Sequence, residues 1–600
     1  MLAALACLAA LLPLGALAQF VTPPSGLIQA LGAAGINVRY KVVPTGICES
    51  HPNVTSYAVY ADIDDNQHIY MLFYESREAD PATAPLTVFF SGGPGSSSMR
   101  AAFEELGPCS VDPDGKPYDN PYAWNRKTNL LFMDQPLTVG NSYTRAVPGY
   151  TNSDTGLTIR LPSNDCPDYA AQFETCGTYS ADEFSLIPRS SDEAAPNVYL
   201  ALQGFVGAFP KYNNGGLVIA AESYGGRYAP AFADYIVRQN EQKQAGHVPL
   251  DLKTVIIGNA WIDPVEHYKS YFKYLTGGNG YGLVYPNSSV EAEVKNNLYG
   301  EGNCLDKLKA CQASQSGEES SLLCQTADDF CGTLVEARFK IYTGRDEYDV
   351  RYLRPNPFPY YYYADWLQRP EIQDALAHFT NYTAYSTAVS YAFYSIGDDP
   401  RTGDTIPQLK RLLAAGVGVA LYSGSADYNV NWLGTLAIAE GMGVAGFDQA
   451  GFQTFESAAA GNNTAVVKQA GQFSFTRVFD AGHEVPFYQP ITSLELFERV
   501  IFRKDIATGK LDADAAYLSV GPHDSTQQED VGGVQYDVTP DTATYNTTTH
   551  RPNDGGAKVE QRALRHLLRH RDVAEPVQRS TRSSKRKQRE QRLQRPFSMH

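Results

Sequence analysis

Of 600 residues, 43% are hydrophobic and 19% charged, and 39 Tyr, 27 Phe and 4 Trp supply a large apolar payload. That composition excludes wholesale disorder and collagen-like repeats. Sixty-six acidic against 49 basic side chains give a net charge of -17, which opposes a general affinity for nucleic acid or an anionic membrane and suits a protein working at low pH.

Residues 1–18, MLAALACLAALLPLGALA, carry no charge and end in Ala16-Leu17-Ala18. This predicts an export signal cleaved before Gln19; a membrane anchor is the competing reading, weakened by the short apolar run and by Pro13. No later stretch is comparably apolar, and the C-terminus lacks the hydrophobic tail of a lipid-anchor signal. The mature chain is expected to be soluble and secreted, or held in a vacuolar or other acidic compartment, with no membrane span. Without Cys7, eight cysteines remain, an even number that suggests four disulfides. Cys304, Cys311, Cys324 and Cys331 are spaced symmetrically, favouring nested bridges Cys304–Cys331 and Cys311–Cys324. A zinc site is the alternative, but no CxxC pair or nearby His supports it. Cys166–Cys176 closes a small loop and leaves Cys48–Cys109. Sequons at Asn53, Asn287, Asn381, Asn462 and Asn546 are candidate glycosylation sites, expected at the surface.

Continuous apolar runs recur before turn residues: Leu86–Phe90, Asn129–Met133, Leu217–Ala221, Thr254–Gly258 and Val417–Tyr422. Such runs predict strands of a mostly parallel sheet buried on both faces, and helix-like stretches at 191–206 and 228–241 complete an α/β alternation. Residues of about 265–360 break the rhythm and read as an inserted cap. The main domain is assigned to 19–510 and a C-terminal extension to 511–600. The last fifty residues hold fourteen Lys or Arg against five Asp or Glu, so the chain from about 551 is expected to be disordered. A nucleic-acid or localisation role is the sharper reading of that basic run. In an exported chain, a solvated tail, a segment removed by processing or a wrongly assigned exon is preferred.

Leu217-Val-Ile-Ala-Ala-Glu-Ser-Tyr-Gly-Gly226 has the strand, small residues and following helix of a nucleophile elbow, which points Ser223 out of the sheet. Ala221 replaces the first Gly of the usual pattern, while Gly225 keeps the last. A serine nucleophile needs a base and an orienting carboxylate, in the chain order Ser, Asp or Glu, His. Asp427 follows the strand at 417–422, and His483 stands in a loop after another apolar stretch.

Gly92-Gly-Pro-Gly-Ser-Ser-Ser98, Phe103-Glu-Glu-Leu-Gly-Pro108, Asn129–Pro136, Glu222-Ser-Tyr224, Ile257-Gly-Asn259, Asp427 with Asn431-Trp-Leu-Gly434, and Ala481–Pro486 occur in collinear order across about 20–510. Together they resemble the signature of serine carboxypeptidases, particularly the fungal secreted branch. The resemblance implies an α/β-hydrolase fold with a cap and removal of residues from peptide and protein C-termini at acidic pH, with no metal or other cofactor. It implies Ser223, Asp427 and His483 as catalytic residues and the backbone N–H groups of Gly93 and Tyr224 as the oxyanion hole. It further implies a carboxyl pair, Glu222 and Glu105, that binds the substrate carboxylate with the Gly92 amide. One member of that pair should keep a proton to donate.

Position 91 departs from the pattern, because Ser91 stands where the family usually has Asn; its single hydroxyl offers a weaker or water-mediated grip. Ser96 also replaces a cysteine common in part of the family. Glu484 is read as a residue facing the departing amino acid and favouring Lys or Arg there. An acyltransferase or esterase using the same triad is the first alternative, and a non-catalytic secreted binding protein the second. Neither monomer nor dimer is favoured.

Overall fold

The computed structural model describes residues 20–553 except 153–154, 172–175, 315–316, 402, 462 and 527–528. The expected export signal, the basic tail from 554 and the Asn462 sequon lie outside the described residues. The frame is a twelve-stranded mixed sheet. At its centre Asn129–Met133, Leu86–Phe90, Leu217–Glu222, Leu252–Gly258, Gly418–Gly424 and Phe473–Val478 lie side by side in that order, every pair parallel. One antiparallel wing comprises Ile28–Leu31, Asn37–Val43, Ser56–Asp64 and Gln67–Tyr74; the other comprises Ala465–Ala470 and Gln453–Thr454.

Alternation along the central strands explains their unbroken apolar runs. Val88, Phe90, Ile219, Ala221, Val255, Ile257, Val419 and Leu421 belong to one buried cluster, whereas Phe89, Val218, Ala220, Ile256, Ala420 and Tyr422 belong to a second. Side chains two apart share a face, so a strand covered on both sides must be apolar at every position. Helices Ser191–Ala208 and Gly225–Gln242 pack on the first face, and Pro490–Ile501 on the second. Ser190 starts the first of these by accepting a hydrogen bond from the Glu193 N–H at 3.2 Å, which satisfies one of the helix's orphan donors.

Between Gly258 and Gly418 the chain leaves the sheet for a helical insertion. All four bridges expected from the sequence are formed: Cys48–Cys109, Cys166–Cys176, Cys304–Cys331 and Cys311–Cys324. The last two join helices Cys304–Ala313 and Glu318–Cys331 and close segments of 27 and 13 residues, each contributing about 3 kcal/mol by restricting the unfolded chain. Helix Thr387–Ile396 packs on Glu318–Cys331, where Gln325 Nε2 donates to the Ser395 carbonyl at 2.7 Å. The insertion therefore continues past residue 360.

Residues 511–553 are built into the same body as the sheet. The Ser519 N–H donates to the Gln469 carbonyl at 2.9 Å, and the Gln535 N–H to that of Arg351 at 2.7 Å. Among the sequons, Asn53 and Asn287 are exposed and Asn546 is half-buried. Asn381 corrects the sequence expectation of a surface site. It is 4% exposed, its Nδ2 donates to Gln368 Oε1 at 3.0 Å, and its Oδ1 accepts from the Thr178 N–H at 2.8 Å, so the amide nitrogen has no room for a glycan.

Candidate active site

The triad residues and Ser91 each follow the C-terminal end of a central strand, where open α/β sheets place their ligands. Ser91 and the glycine loop follow Leu86–Phe90, Ser223 follows Leu217–Glu222, Asp427 follows Gly418–Gly424, and His483 follows Phe473–Val478. The strand from 252 to 258 adds Asn259, which the sequence quotes only as part of a motif.

Ser223 is half-buried with φ 63°, a left-handed conformation that costs a non-glycine residue on the order of 1 kcal/mol and is held by its surroundings. Its N–H donates to the Gly258 carbonyl at 3.1 Å, while its own carbonyl accepts from Gly226 and Trp261 N–H groups, both at 2.9 Å. Gly92 explains the double glycine, since a Cβ there would stand 2.3 Å from the Tyr224 nitrogen and 2.8 Å from Ser223 Cβ. Gly93 adopts φ 110°. The backbone of the glycine loop therefore presses against the N–H of the residue after Ser223, an approach that only glycine allows.

Asp427 is wholly buried and ringed by donors. Its Oδ2 accepts from Asn259 Nδ2 and from His483 Nδ1, both at 2.7 Å, and its Oδ1 from the Val430 N–H at 3.2 Å. Asn259 Oδ1 meanwhile accepts from the Gly424 N–H at 3.2 Å, bracing the strand end on which Asp427 depends. Burial disfavours the His483 imidazolium, but the charge and hydrogen bond of Asp427 outweigh it and hold the ring above its ordinary pKa.

Glu222 and Glu105 meet from different elements: Glu222 ends its strand, and Glu105 caps helix Met99–Glu104. Both are about 95% buried, their carboxyls hydrogen-bond to each other, and one Oε2 on each has no partner in the protein. Burial pushes both pKa values well above the usual carboxyl range; Glu484 reinforces the shift at Glu105, and Glu105 reinforces it at Glu222. Ser91 is buried, its N–H donating to Ser98 Oγ at 3.1 Å.

Two supporting groups were not readable from spacing. Asp134 accepts from Ser97 Oγ at 2.7 Å and from the Ser98 and Asn141 N–H groups at 2.9 Å each, so it organises the loop after the glycines; burial pushes it up to about 6. Arg100 pairs with Glu484 and, at 2.9 Å, with Glu104. Glu484, read from the sequence as facing the departing residue, is buried, its side chain 1% exposed and paired with Arg100, which it shares with Glu104.

This arrangement coincides with a family match. Residues 44–503 match the serine carboxypeptidase family. The chain belongs to that family. Carboxypeptidase S1 homolog B of Arthroderma otae is 35% identical over 558 residues, covering 85% of this chain and 83% of the relative. Carboxypeptidase S1 of Penicillium janthinellum is 32% identical over 473 residues, covering 77% of this chain and 99% of the relative. In structure the chain resembles the prohormone-processing carboxypeptidase Kex1Δp of Saccharomyces cerevisiae at a TM-score of 0.54 and 19% identity, covering 78% of this chain and 91% of that one; this likeness concerns the fold. As a serine carboxypeptidase, the protein is a hydrolase of peptide substrates. Among the described residues no helix is long and apolar enough to cross a membrane.

Proposed function

We propose that this carboxypeptidase is exported and acid-favoured, with Ser223 as nucleophile, His483 as general base and acid, and Asp427 as the carboxylate that orients the imidazole. Ser223 Oγ attacks the last peptide carbonyl while His483 Nε2 takes its proton. The Gly93 and Tyr224 N–H groups stabilise the oxyanion; His483 then protonates the departing amine, and water hydrolyses the acyl-enzyme. The observation that carries the exopeptidase reading is the pair of mutually hydrogen-bonded, buried carboxyls directly before Ser223. Glu105 and Glu222 cannot both ionise at low cost, so the proton they share is available to a substrate carboxylate, alongside the Gly92 N–H.

The pH dependence follows with two opposite signs. Raising pH frees His483 to act as a base, which helps every substrate. It also strips the Glu105–Glu222 pair, which harms only substrates with a free carboxylate. Four disulfides and the apolar leader support export into an oxidising, secreted or vacuolar route.

Purified protein incubated with a blocked dipeptide, with and without a serine-reactive inhibitor, tests the proposal. Inhibitor-sensitive release of the C-terminal amino acid is expected, and absence of release would defeat it. Ser91 in place of the usual Asn favours one second reading, an acyltransferase or esterase; ester cleavage without peptide release would select it.

A further inference from the structure

Between Val478, where its strand ends, and His483 the chain turns through Asp480, a non-glycine residue at φ 52°. A left-handed aspartate persists only where its surroundings hold it. Its N–H donates to the hydroxyl of Ser425, two residues before Asp427, at 3.1 Å, and that hydroxyl meets the Tyr281 hydroxyl of the cap at 2.7 Å. Asp480 Oδ1 accepts from the Tyr281 hydroxyl at 3.3 Å and from the Asp530 N–H at 3.0 Å. Asp480, Ser425 and Tyr281 are all buried. One network thus joins the loops of two triad residues to the cap and to the C-terminal segment, in surroundings where water competes little for each hydrogen bond.

The segment 529–551 grips the same region at further points. Glu529 pairs with buried Arg477, the residue before Val478, and a Cβ on Gly280 of the cap would stand 2.4 Å from Glu529 Oε2. The Gln535 N–H donates to the Arg351 carbonyl at 2.7 Å, and Arg351 Nη1 donates to the His550 carbonyl at 3.2 Å. Arg351 in turn forks onto buried Asp349, Nε to Oδ1 at 2.9 Å and Nη2 to Oδ2 at 2.6 Å. The stretch held in this way reaches both triad loops. The Tyr348 carbonyl accepts the His483 N–H at 2.8 Å, and the Val350 N–H donates to the Ala426 carbonyl at 2.9 Å. Arg551 closes the segment on itself by pairing with Asp530.

We propose that the C-terminal segment 529–551 is a strap that sets the position of His483, with Asp480 as the positioning residue through which it acts. The proposal rests on the reading of His483 as general base. A base must be held within a fraction of an ångström of its productive place, and the strap supplies that support from outside the α/β core. The groups facing the imidazole are Asp427 at 2.7 Å, Glu484, Arg100 and the Tyr348 ring at 5.0 Å. Burial lowers the pKa of the ring and Asp427 raises it, so a loosened loop weakens the Asp427 contact and lets the pKa fall. C-terminal processing that preserves activity must leave residues 529–551 in place.

The test follows full-length variants on a blocked amino-acid ester, which has no free carboxylate to engage Glu105 and Glu222, and takes the acid limb of kcat/KM as the titration of the base. Asp480→Gly deletes the acceptor and suits the left-handed backbone. It should lower kcat about tenfold with KM within about twofold, and move the midpoint of the acid limb down by about half a pH unit. Asp480→Asn keeps an acceptor oxygen and tolerates the same backbone, so it should restore most of both. Asp530→Pro removes the donor from the strap at a φ of -79°, which proline accepts, and should reproduce Asp480→Gly. A contact that serves stability alone would reduce the amount of active enzyme and leave the midpoint in place. An unmoved midpoint in Asp480→Gly, or a folded Asp530→Pro that keeps wild-type kcat and midpoint, overturns the inference; if Asp530→Pro does not fold, the two Asp480 variants decide. A wild type that shows no acid limb and no hydrolysis overturns the general-base reading instead.

Discussion

Two buried carboxyl sites stand on either side of Ser223 in the chain of contacts, and they are wired in opposite ways. Asp427 meets donors only: Asn259 Nδ2, His483 Nδ1 and the Val430 N–H. Glu222 meets another carboxyl, Glu105, with Glu484 and Glu104 close behind and Arg100 as the nearby cation. Burial is nearly equal, so the partners decide the chemistry. Three donors suit a carboxylate that orients an imidazole, whereas a carboxyl facing a carboxyl keeps a proton that it can donate.

Removing the atom that both sites serve gives the largest expected effect. Ser223→Ala should lower kcat for peptide release by roughly 10⁴- to 10⁶-fold while circular dichroism shows the fold retained; near-normal turnover would break the account of both sites. Next comes the donor-rich side. Asn259→Ala removes one of the three donors to Asp427 and should lower kcat by about 10- to 100-fold, the equivalent of about 1.5–3 kcal/mol in a hydrogen bond to a charged group. Loss on esters and peptides alike is expected, because His483 serves both; a loss confined to free-acid peptides would contradict it.

The carboxyl-rich side gives a smaller effect on stability. Glu222→Gln removes a buried acid and should stabilise the fold at pH 8 by about 1 kcal/mol, which in a chain of this size raises Tm by about 1 °C, with little change at pH 4; a lower Tm at both pH values would contradict the repulsion. Other buried carboxyls show the same sign. Asp134, Asp182 and Asp399 are raised to about 6 and Glu336 to about 7, burial being the leading cause for each. Groups raised on folding contribute stability that is complete below their unfolded values and lost as pH rises through the folded ones. Glu49, Asp62 and Glu75 are lowered by their hydrogen-bonded partners, despite burial, and that contribution is lost as pH falls through their folded values. Scanning calorimetry should therefore find maximal Tm near pH ~4–5 and a decline toward pH 8.

Much of the frame was legible because it is local. Apolar runs such as Leu86–Phe90 and Asn129–Met133 become strands over those very residues, and the symmetric cysteine spacing matches the nested bridges. Ser223 announced itself through the small residues that a strained turn requires, and Asp427 and His483 through their order in the chain. What escaped depends on contacts between distant segments. Arg100 reaches Glu484 across 384 positions, and Asn259 reaches Asp427 across 168. Asn381 has the pattern of a sequon, yet packing buries it. The segment 511–553 offers little apolar periodicity because much of its attachment runs through ion pairs and backbone bonds, such as buried Arg477 with Glu529 and the Asp530 N–H with Asp480 Oδ1 at 3.0 Å.

The most direct test of the shared proton is the ratio of kcat/KM for a blocked dipeptide to that for its C-terminal amide, followed from pH 4 to 8 in the wild type. Titration of His483 cancels in this ratio, which leaves the Glu105–Glu222 pair. The ratio should be highest in acid and fall about tenfold or more as the pair loses its proton; a ratio that stays level or rises with pH would contradict the central claim.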